Sequence, residues 1–154
     1  MSQLLPSLNE GDLELNYAAA IAKSQIVPET GCRVPRPGMI SRINGKYPQQ
    51  PVYYKGPDYH QLTTRGTQRK PRMHKNVRGA PRRVALHVLS YYYHHRELPV
   101  SSALDISHLC HNRDCFNVEH LVLEKHSMNW KRMGCPAGNL CTHNPKCLHR
   151  HEMQ

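Results

Sequence analysis

A mixed α/β (α+β) fold with a small apolar core held by cross-links is what this sequence predicts, on three observations. Two stretches with apolar residues at helical spacing flank a basic, Gly- and Pro-punctuated middle suited to short strands. Five of the six cysteines fall between residues 107 and 147, interleaved with histidines. Only 38% of the 154 residues are hydrophobic, with one Trp and one Phe, so the core is thin and needs staples. Disulfides are one option, but no apolar signal segment follows Met1, and the Cys/His interleaving suits thiolate metal ligation better. One compact domain is expected, organised as residues 1–31 (lead and helix), 32–80 (basic, β-rich) and 81–154 (helix plus Cys/His core).

Taken in order, Asn9-Glu10-Gly11-Asp12 supplies cap residues and negative charge for a helix N-terminus. Leu13, Tyr17, Ala20 and Ile21 then recur at helical spacing to about Lys23, and Pro28 with Gly31 ends the segment. This helix is read as packing. From Arg33 to Arg83 the chain holds 13 of its 21 basic residues, and Asp58 is the only acid. Strands are expected at Met39 to Ile43, Val52 to Lys55, Gln61 to Thr64 and Arg69 to Lys75. A second helix is expected from Pro81 to about His95, on Ala85, Val88, Leu89 and Tyr92. His87, His94 and His95 on it are read as structural or exposed.

The formal charge is +10, and metal binding by all six thiolates would lower it only slightly. A surplus of that size favours a polyanion, with nucleic acid ahead of an acidic membrane surface. No run approaches the roughly 18 apolar residues of a membrane span, so membrane insertion is not expected. In the basic tract, Arg42, Lys55 and Gln61 are candidates for reaching base edges, while Arg65, Arg69, Lys70 and Lys75 are candidates for holding phosphates. A solvated basic face or a nuclear-targeting tract would have the same composition.

Cys110-x4-Cys115-x4-His120 is a tight soft-ligand triple, and zinc takes four such ligands in a tetrahedron. Cys32 stands nearly eighty residues upstream. A lone cysteine is by default a packing residue, yet it is also the fourth ligand this triple lacks, and would clamp the basic region to the core. Cys135-x5-Cys141-x-His143-x3-Cys147 forms a second Cys3His set within one segment, with His149 as a rival to His143. Both sets leave no vacancy for water and read as structural zinc. His108 and Asn129 remain. His108 is suited to general-base work on water but reads equally as a zinc ligand or core contact. Asn129 offers a neutral oxygen to a hard ion such as Mg2+.

The run Ser107-His108-Leu109-Cys110-His111-Asn112, with Cys115, Asn117, His120-Leu121, Asn129 and Cys135, Cys141, His143 and Cys147, resembles the His-Cys box homing endonucleases. The resemblance covers about forty C-terminal residues; the N-terminal part matches loosely. It implies a ββα-metal nuclease core with two structural zinc ions and an N-terminal basic antiparallel sheet. By the same resemblance His108 activates water, and Asn129 holds one Mg2+ between the scissile phosphate and the leaving 3′ oxygen. An arginine from a preceding strand, assigned to Arg72 with Arg69 and Arg78 as rivals, stabilises the transition-state charge. Double-stranded DNA is then the substrate, 3′ overhangs the product, intron homing the context and the nucleus the location. The segment Asn117-Val118-Glu119-His120-Leu121 departs from the family's Asn-Pro-x-His-Leu and loses a rigid turn but no ligand. The chain ends at Gln154, short of the wrapping tail that can hold family dimers, so a homodimer would need another interface. A non-catalytic zinc-stabilised DNA-binding protein and an RNA-binding zinc protein are the rival functions.

Overall fold

The structure is a computed structural model that describes residues 5–39, 47–54, 72, 73, 75 and 82–148. It opens with a 3-10 turn, Leu5–Ser7, and helix α1, Glu10–Ala22. Asn9 caps α1 as its sequence promised, the side-chain oxygen accepting from the Asp12 amide at 2.8 Å. Leu13 and Ala20 on one face of α1 are buried with Leu5 in the main core. A hairpin follows, β1 (Ser24–Ile26) against β2 (Arg33–Pro35), in antiparallel register from Ser24 opposite Pro35 to Ile26 opposite Arg33.

The basic middle contributes β3 (Gln49–Pro51), β4 (Tyr53–Tyr54) and β5 (Arg72–Met73). Strand β4 pairs with β5, Tyr54 lying opposite Arg72, while β3 pairs with β6 (Arg83–Ala85). Among the described residues these are separate two-stranded ribbons. The expected strands at Met39 to Ile43 and Gln61 to Thr64 lie, but for Met39 in a turn, outside the described residues. Asn16 fastens α1 to the ribbon: its Nδ2 donates to the Tyr53 carbonyl at 2.6 Å and its Oδ1 accepts from the Tyr53 amide at 2.7 Å. A side-chain amide thus takes the place of a neighbouring strand, which leaves the buried Asn16 satisfied.

Helix α2, Leu86–His95, begins at Leu86 rather than at Pro81. The reason is that Arg83–Ala85 is committed to pairing with β3, so Ala85 ends a strand and serves as the helix N-cap. Leu86 and Leu89 join the core with Val52, Val84 and Phe116, each such buried side chain stabilising the fold by about 1.5–3 kcal/mol. Tyr17 of α1 stacks on Tyr93 of α2 with centroids 4.0 Å apart. The helix stops at Arg96, which is left-handed at φ 56°.

The last part is a hairpin and a helix. Strand β7 (Leu104–His108) pairs with β8 (Leu121–Lys125), from Leu104 opposite Lys125 to His108 opposite Leu121. The chain between them runs through the first Cys/His cluster and a 3-10 turn, Val118–His120. Helix α3, His126–Met133, follows β8 directly and packs on both strands. Segments 1–31, 32–80 and 81–154 are interleaved, since β2 meets the β7–β8 connection, where Phe116 N–H donates to the Arg33 carbonyl at 2.9 Å, and β3 meets β6. No helix among the described residues is long and apolar enough to cross a membrane.

Candidate metal centres and nuclease site

The tight hairpin turn of β1–β2 brings Cys32 to the downstream cysteines. Val27 accepts from Gly31 N–H at 2.8 Å and donates to the Cys32 carbonyl at 2.8 Å. Gly31 carries φ 67°, a left-handed conformation that calls for glycine, and a Cβ there would meet His120 Nε2 at 3.6 Å, an ordinary van der Waals contact, so backbone conformation and not crowding sets the requirement. Asn117 Nδ2 donates to the Gly31 carbonyl at 2.9 Å and holds the turn against the β7–β8 connection. Cys32, Cys110 and Cys115 are all buried, and Val27 and Val34 pack around them.

In this first cluster His120 Nδ1 lies 3.5 Å from both Cys32 Sγ and Cys115 Sγ. A tetrahedral zinc with Zn–S of about 2.3 Å and Zn–N of about 2.05 Å sets S···N at about 3.5 Å. The ligand atoms of Cys32, Cys110, Cys115 and His120 all lie within 4.8 Å of one another, as do those of Cys135, Cys141, His143 and Cys147. In the second group His143 Nδ1 stands 3.4 Å from Cys141 Sγ and 3.6 Å from Cys147 Sγ. Both donor sets therefore fit zinc in type, number and spacing. Without a cation the Cys110 thiol is held far above the usual thiol range by hydrogen bonding with Cys115 and Cys32 and by burial. Three gathered thiols ionise only against a compensating positive charge, which zinc supplies.

Arg132 ties the second cluster to the β7–β8–α3 unit, and at 1% exposure it is among the most buried side chains in the molecule. Its Nε and Nη2 donate to Glu124 on β8 at 2.8 to 3.0 Å. Its Nη1 donates to the Pro145 carbonyl at 2.9 Å and to Cys147 Sγ at 3.3 Å. The Cys147 amide donates in turn to Cys141 Sγ at 3.1 Å. Sulfur atoms that accept such bonds are stabilised as thiolates.

His108 ends β7 with its Nε2 2.9 Å from the Cys115 carbonyl oxygen. A carbonyl only accepts, so Nε2 carries the proton and Nδ1 is left as a lone pair. His108 is thus separate from the ligand atoms of the first cluster, yet the cluster's own backbone sets its tautomer. Burial pushes its pKa down to about 4, against the raising effect of the Cys115 carbonyl. Tyr47 stacks on the ring with centroids 5.9 Å apart and planes 8° from parallel. His87 of α2 lies on it as well, 4.9 Å between centroids. His87 was read from sequence as structural or exposed, because periodicity assigns a helix face but not the neighbour across it. It is buried at the site, with its pKa well below the usual histidine range through burial and the neighbouring His108.

Asn129 sits on α3, its Nδ2 donating to Asp105 Oδ2 of β7 at 3.0 Å. His126 Nδ1 reaches the same oxygen at 2.5 Å. Asp105 escaped the sequence reading because a single acid in an apolar strand has no spacing that marks it. Arg72 lies exposed on β5, and no hydrogen bond or ion pair among the described residues joins it to His108 or Asn129. With Tyr54, Met73 and the exposed Lys75 it lines a shallow cavity. Arg42, Lys55, Gln61, Arg65, Arg69, Lys70, Arg78 and His149 lie outside the described residues.

No curated protein matches the chain. A family model described as the zinc-binding loop region of homing endonuclease matches residues 50–154, a span holding His108, Asn129, Arg132 and every cluster ligand except Cys32, and on that match the chain belongs to the homing endonuclease zinc-binding family.

Proposed function

We propose that the chain is a Mg2+-dependent endonuclease of homing type that hydrolyses phosphodiester bonds of double-stranded DNA, with His108 as general base. The supporting observation is the Nε2–H bond to the Cys115 carbonyl, which leaves Nδ1 available to take a proton. A histidine neutral at pH 7 and fixed by the backbone of a stapled loop is suited to deprotonate water as that water attacks phosphorus. The attacking oxygen forms the new P–O bond, the 3′ oxygen leaves, and the products are a 5′-phosphate and a 3′-hydroxyl. Asn129 is assigned as the protein ligand of the catalytic cation. With Nδ2 on Asp105, its Oδ1 remains as a hard oxygen donor, which fits Mg2+ and its preference for few protein ligands. When bound, that ion would neutralise charge on the phosphate and the leaving oxygen.

The two Cys3His groups are assigned as structural zinc sites, each with the four residues named above. Cys32 in the first makes zinc the link between the basic hairpin and the nuclease hairpin. Arg72 and Lys75, exposed on the basic ribbon, are assigned to DNA phosphates together with Arg65, Arg69 and Lys70; Arg42, Lys55 and Gln61 are assigned to base edges, and Arg72 is the candidate for transition-state charge. A two-fold homodimer suits a palindromic target. The basic tract and the family suit action on nuclear DNA.

The test is zinc content with Mg2+-dependent nicking of supercoiled plasmid, for wild type and His108→Ala together, with Cys110→Ser as a fold control. Two zinc ions per chain in wild type and His108→Ala, and cutting only by wild type, is expected. His108→Ala should bind DNA normally, while Cys110→Ser should lose zinc and fold. Cutting by His108→Ala at the wild-type rate would refute the general base. Two zinc ions, duplex binding and no cutting by either protein on a sequence selected by that binding would favour the non-catalytic reading.

A further inference from the structure

Among the described residues Asp105 is the acidic side chain hydrogen-bonded to Asn129, and its chemistry restricts what Asn129 can present. A carboxylate has no proton to give at neutral pH, so the atom of Asn129 that faces it must be the NH2 group. The observed contact has that sense, Nδ2 to Asp105 Oδ2 at 3.0 Å. The nitrogen and oxygen of a planar amide diverge from one trigonal carbon, so fixing nitrogen on Asp105 turns Oδ1 to the other side. A free asparagine amide can rotate half a turn at little cost and present NH2, which cannot ligate a cation. Asp105 itself is anchored on two sides. It stands on β7 opposite Glu124 of β8, and the same Oδ2 accepts from His126 Nδ1 at 2.5 Å. The His126 amide donates to the Ala103 carbonyl at 2.7 Å, so the first residue of α3 is fastened to the start of β7 by backbone as well as side chain. The carboxylate is only partly exposed, 23%, which keeps water from replacing these donors freely.

We infer that Asp105 is a positioning residue for the catalytic cation: it locks the Asn129 amide with its oxygen toward the ion and its nitrogen toward the protein. The inference rests on the assignment of Asn129 as the ligand. Oδ2 of Asp105 already accepts from two N–H donors, and the variants below separate this positioning role from direct ligation through Oδ1. Partners one step removed from a metal commonly change its affinity by about 10–100-fold when removed.

The test uses the zinc-loaded full chain on a short DNA duplex, with Mn2+ as a paramagnetic probe. Binding is followed by electron spin resonance and corrected for the duplex alone. Wild type is compared with Asn129→Ala, Asp105→Ala and Asp105→Asn, each first checked for two zinc ions and for duplex binding in the absence of Mn2+. Asn129→Ala should lose the protein-dependent Mn2+ site. Asp105→Ala should weaken it about tenfold or more, with nicking recovered at high Mg2+. Asp105→Asn keeps an acceptor oxygen, which His126 Nδ1–H holds toward α3, without the charge, and should stay within about threefold of wild type, as expected for a hydrogen-bond role. An unchanged Mn2+ affinity in Asn129→Ala would overturn the ligand assignment itself. Loss in Asn129→Ala with wild-type affinity in Asp105→Ala would overturn only the positioning role. Equal, severe loss in Asp105→Ala and Asp105→Asn would make the carboxylate a ligand or charge source instead. If Asp105→Ala fails the zinc check, Asp105→Asn and the side-chain amide NMR signal of Asn129 decide. A wild-type-like amide signal, with one proton shifted by hydrogen bonding, is expected in Asp105→Asn; its collapse there with wild-type Mn2+ affinity, or its retention with severely weakened Mn2+ binding, would overturn the inference.

Discussion

Replacing Arg132 by methionine should cost far more stability than a change at a polar helix position ordinarily does. The side chain is 2% exposed and makes three contacts with Glu124, whose own side chain is 10% exposed. Methionine fills much of the volume but leaves the Glu124 carboxylate buried without a counter-charge. Breaking one half of a buried pair costs about 3–5 kcal/mol, and in a chain of this size that lowers Tm by roughly 6–20 °C. Such a loss is a large part of the ~5–15 kcal/mol that holds a domain folded. A second effect is separate: the Nη1–H bond to Cys147 Sγ disappears, which should speed zinc loss from the second cluster by about 10-fold or more. Thermal unfolding followed by circular dichroism reads the first effect, and the rate of zinc transfer to a chromogenic chelator reads the second. The double variant Arg132→Met with Glu124→Leu removes both charges and should recover most of the lost Tm, because an absent pair costs little. It should not recover zinc retention, since the sulfur still lacks its donor. A single variant with unchanged Tm and wild-type zinc release would refute both parts. A double variant no better than the single would mean that packing, not the unpaired carboxylate, carries the loss.

Two further predictions concern the first cluster and its histidine. Cys32→Ser should lower zinc content from two to one per chain and expose the β1–β2 hairpin to protease while the second cluster keeps its ion; mass spectrometry under native conditions and limited proteolysis read both, and retention of two ions would remove Cys32 from the ligand set. Because burial holds His108 down at about 4, the neutral, base-competent form is lost only as pH falls toward that value, so the acid limb of the nicking rate should lie well below 6.5. Measured between pH 5 and 8 on protein verified to hold its zinc, a limb centred at or above 6.5 would contradict this.

The sequence alone was sufficient for the features whose chemistry is local. Cysteine and histidine have few uses at such spacing, so residues 110–147 announced two ligand groups, and those side chains gather as two groups with all ligand atoms close together. Helix α1 was legible because Asn9, Glu10 and Asp12 mark its start and an apolar stripe marks its inner face. Helix α2 was legible in its body and not at its start, because periodicity extends through residues that pairing with β3 takes for a strand.

Only the tertiary structure decided which distant groups meet. Cys32 was one of two readings until the β1–β2 turn delivered it to His120, a contact that depends on the left-handed Gly31 and on Asn117 eighty-six residues away. Arg132 drew no reading from the sequence, yet Glu124 and the second loop enclose it. Asp105 and His87 gave no sequence signal, because each acquires its meaning from a partner on another element, Asn129 for one and His108 for the other. Spacing along a chain reports what one helix face, strand or loop can gather. The direction in which a carboxylate turns an amide, or the ring that covers a base, arises only when separate elements pack against each other.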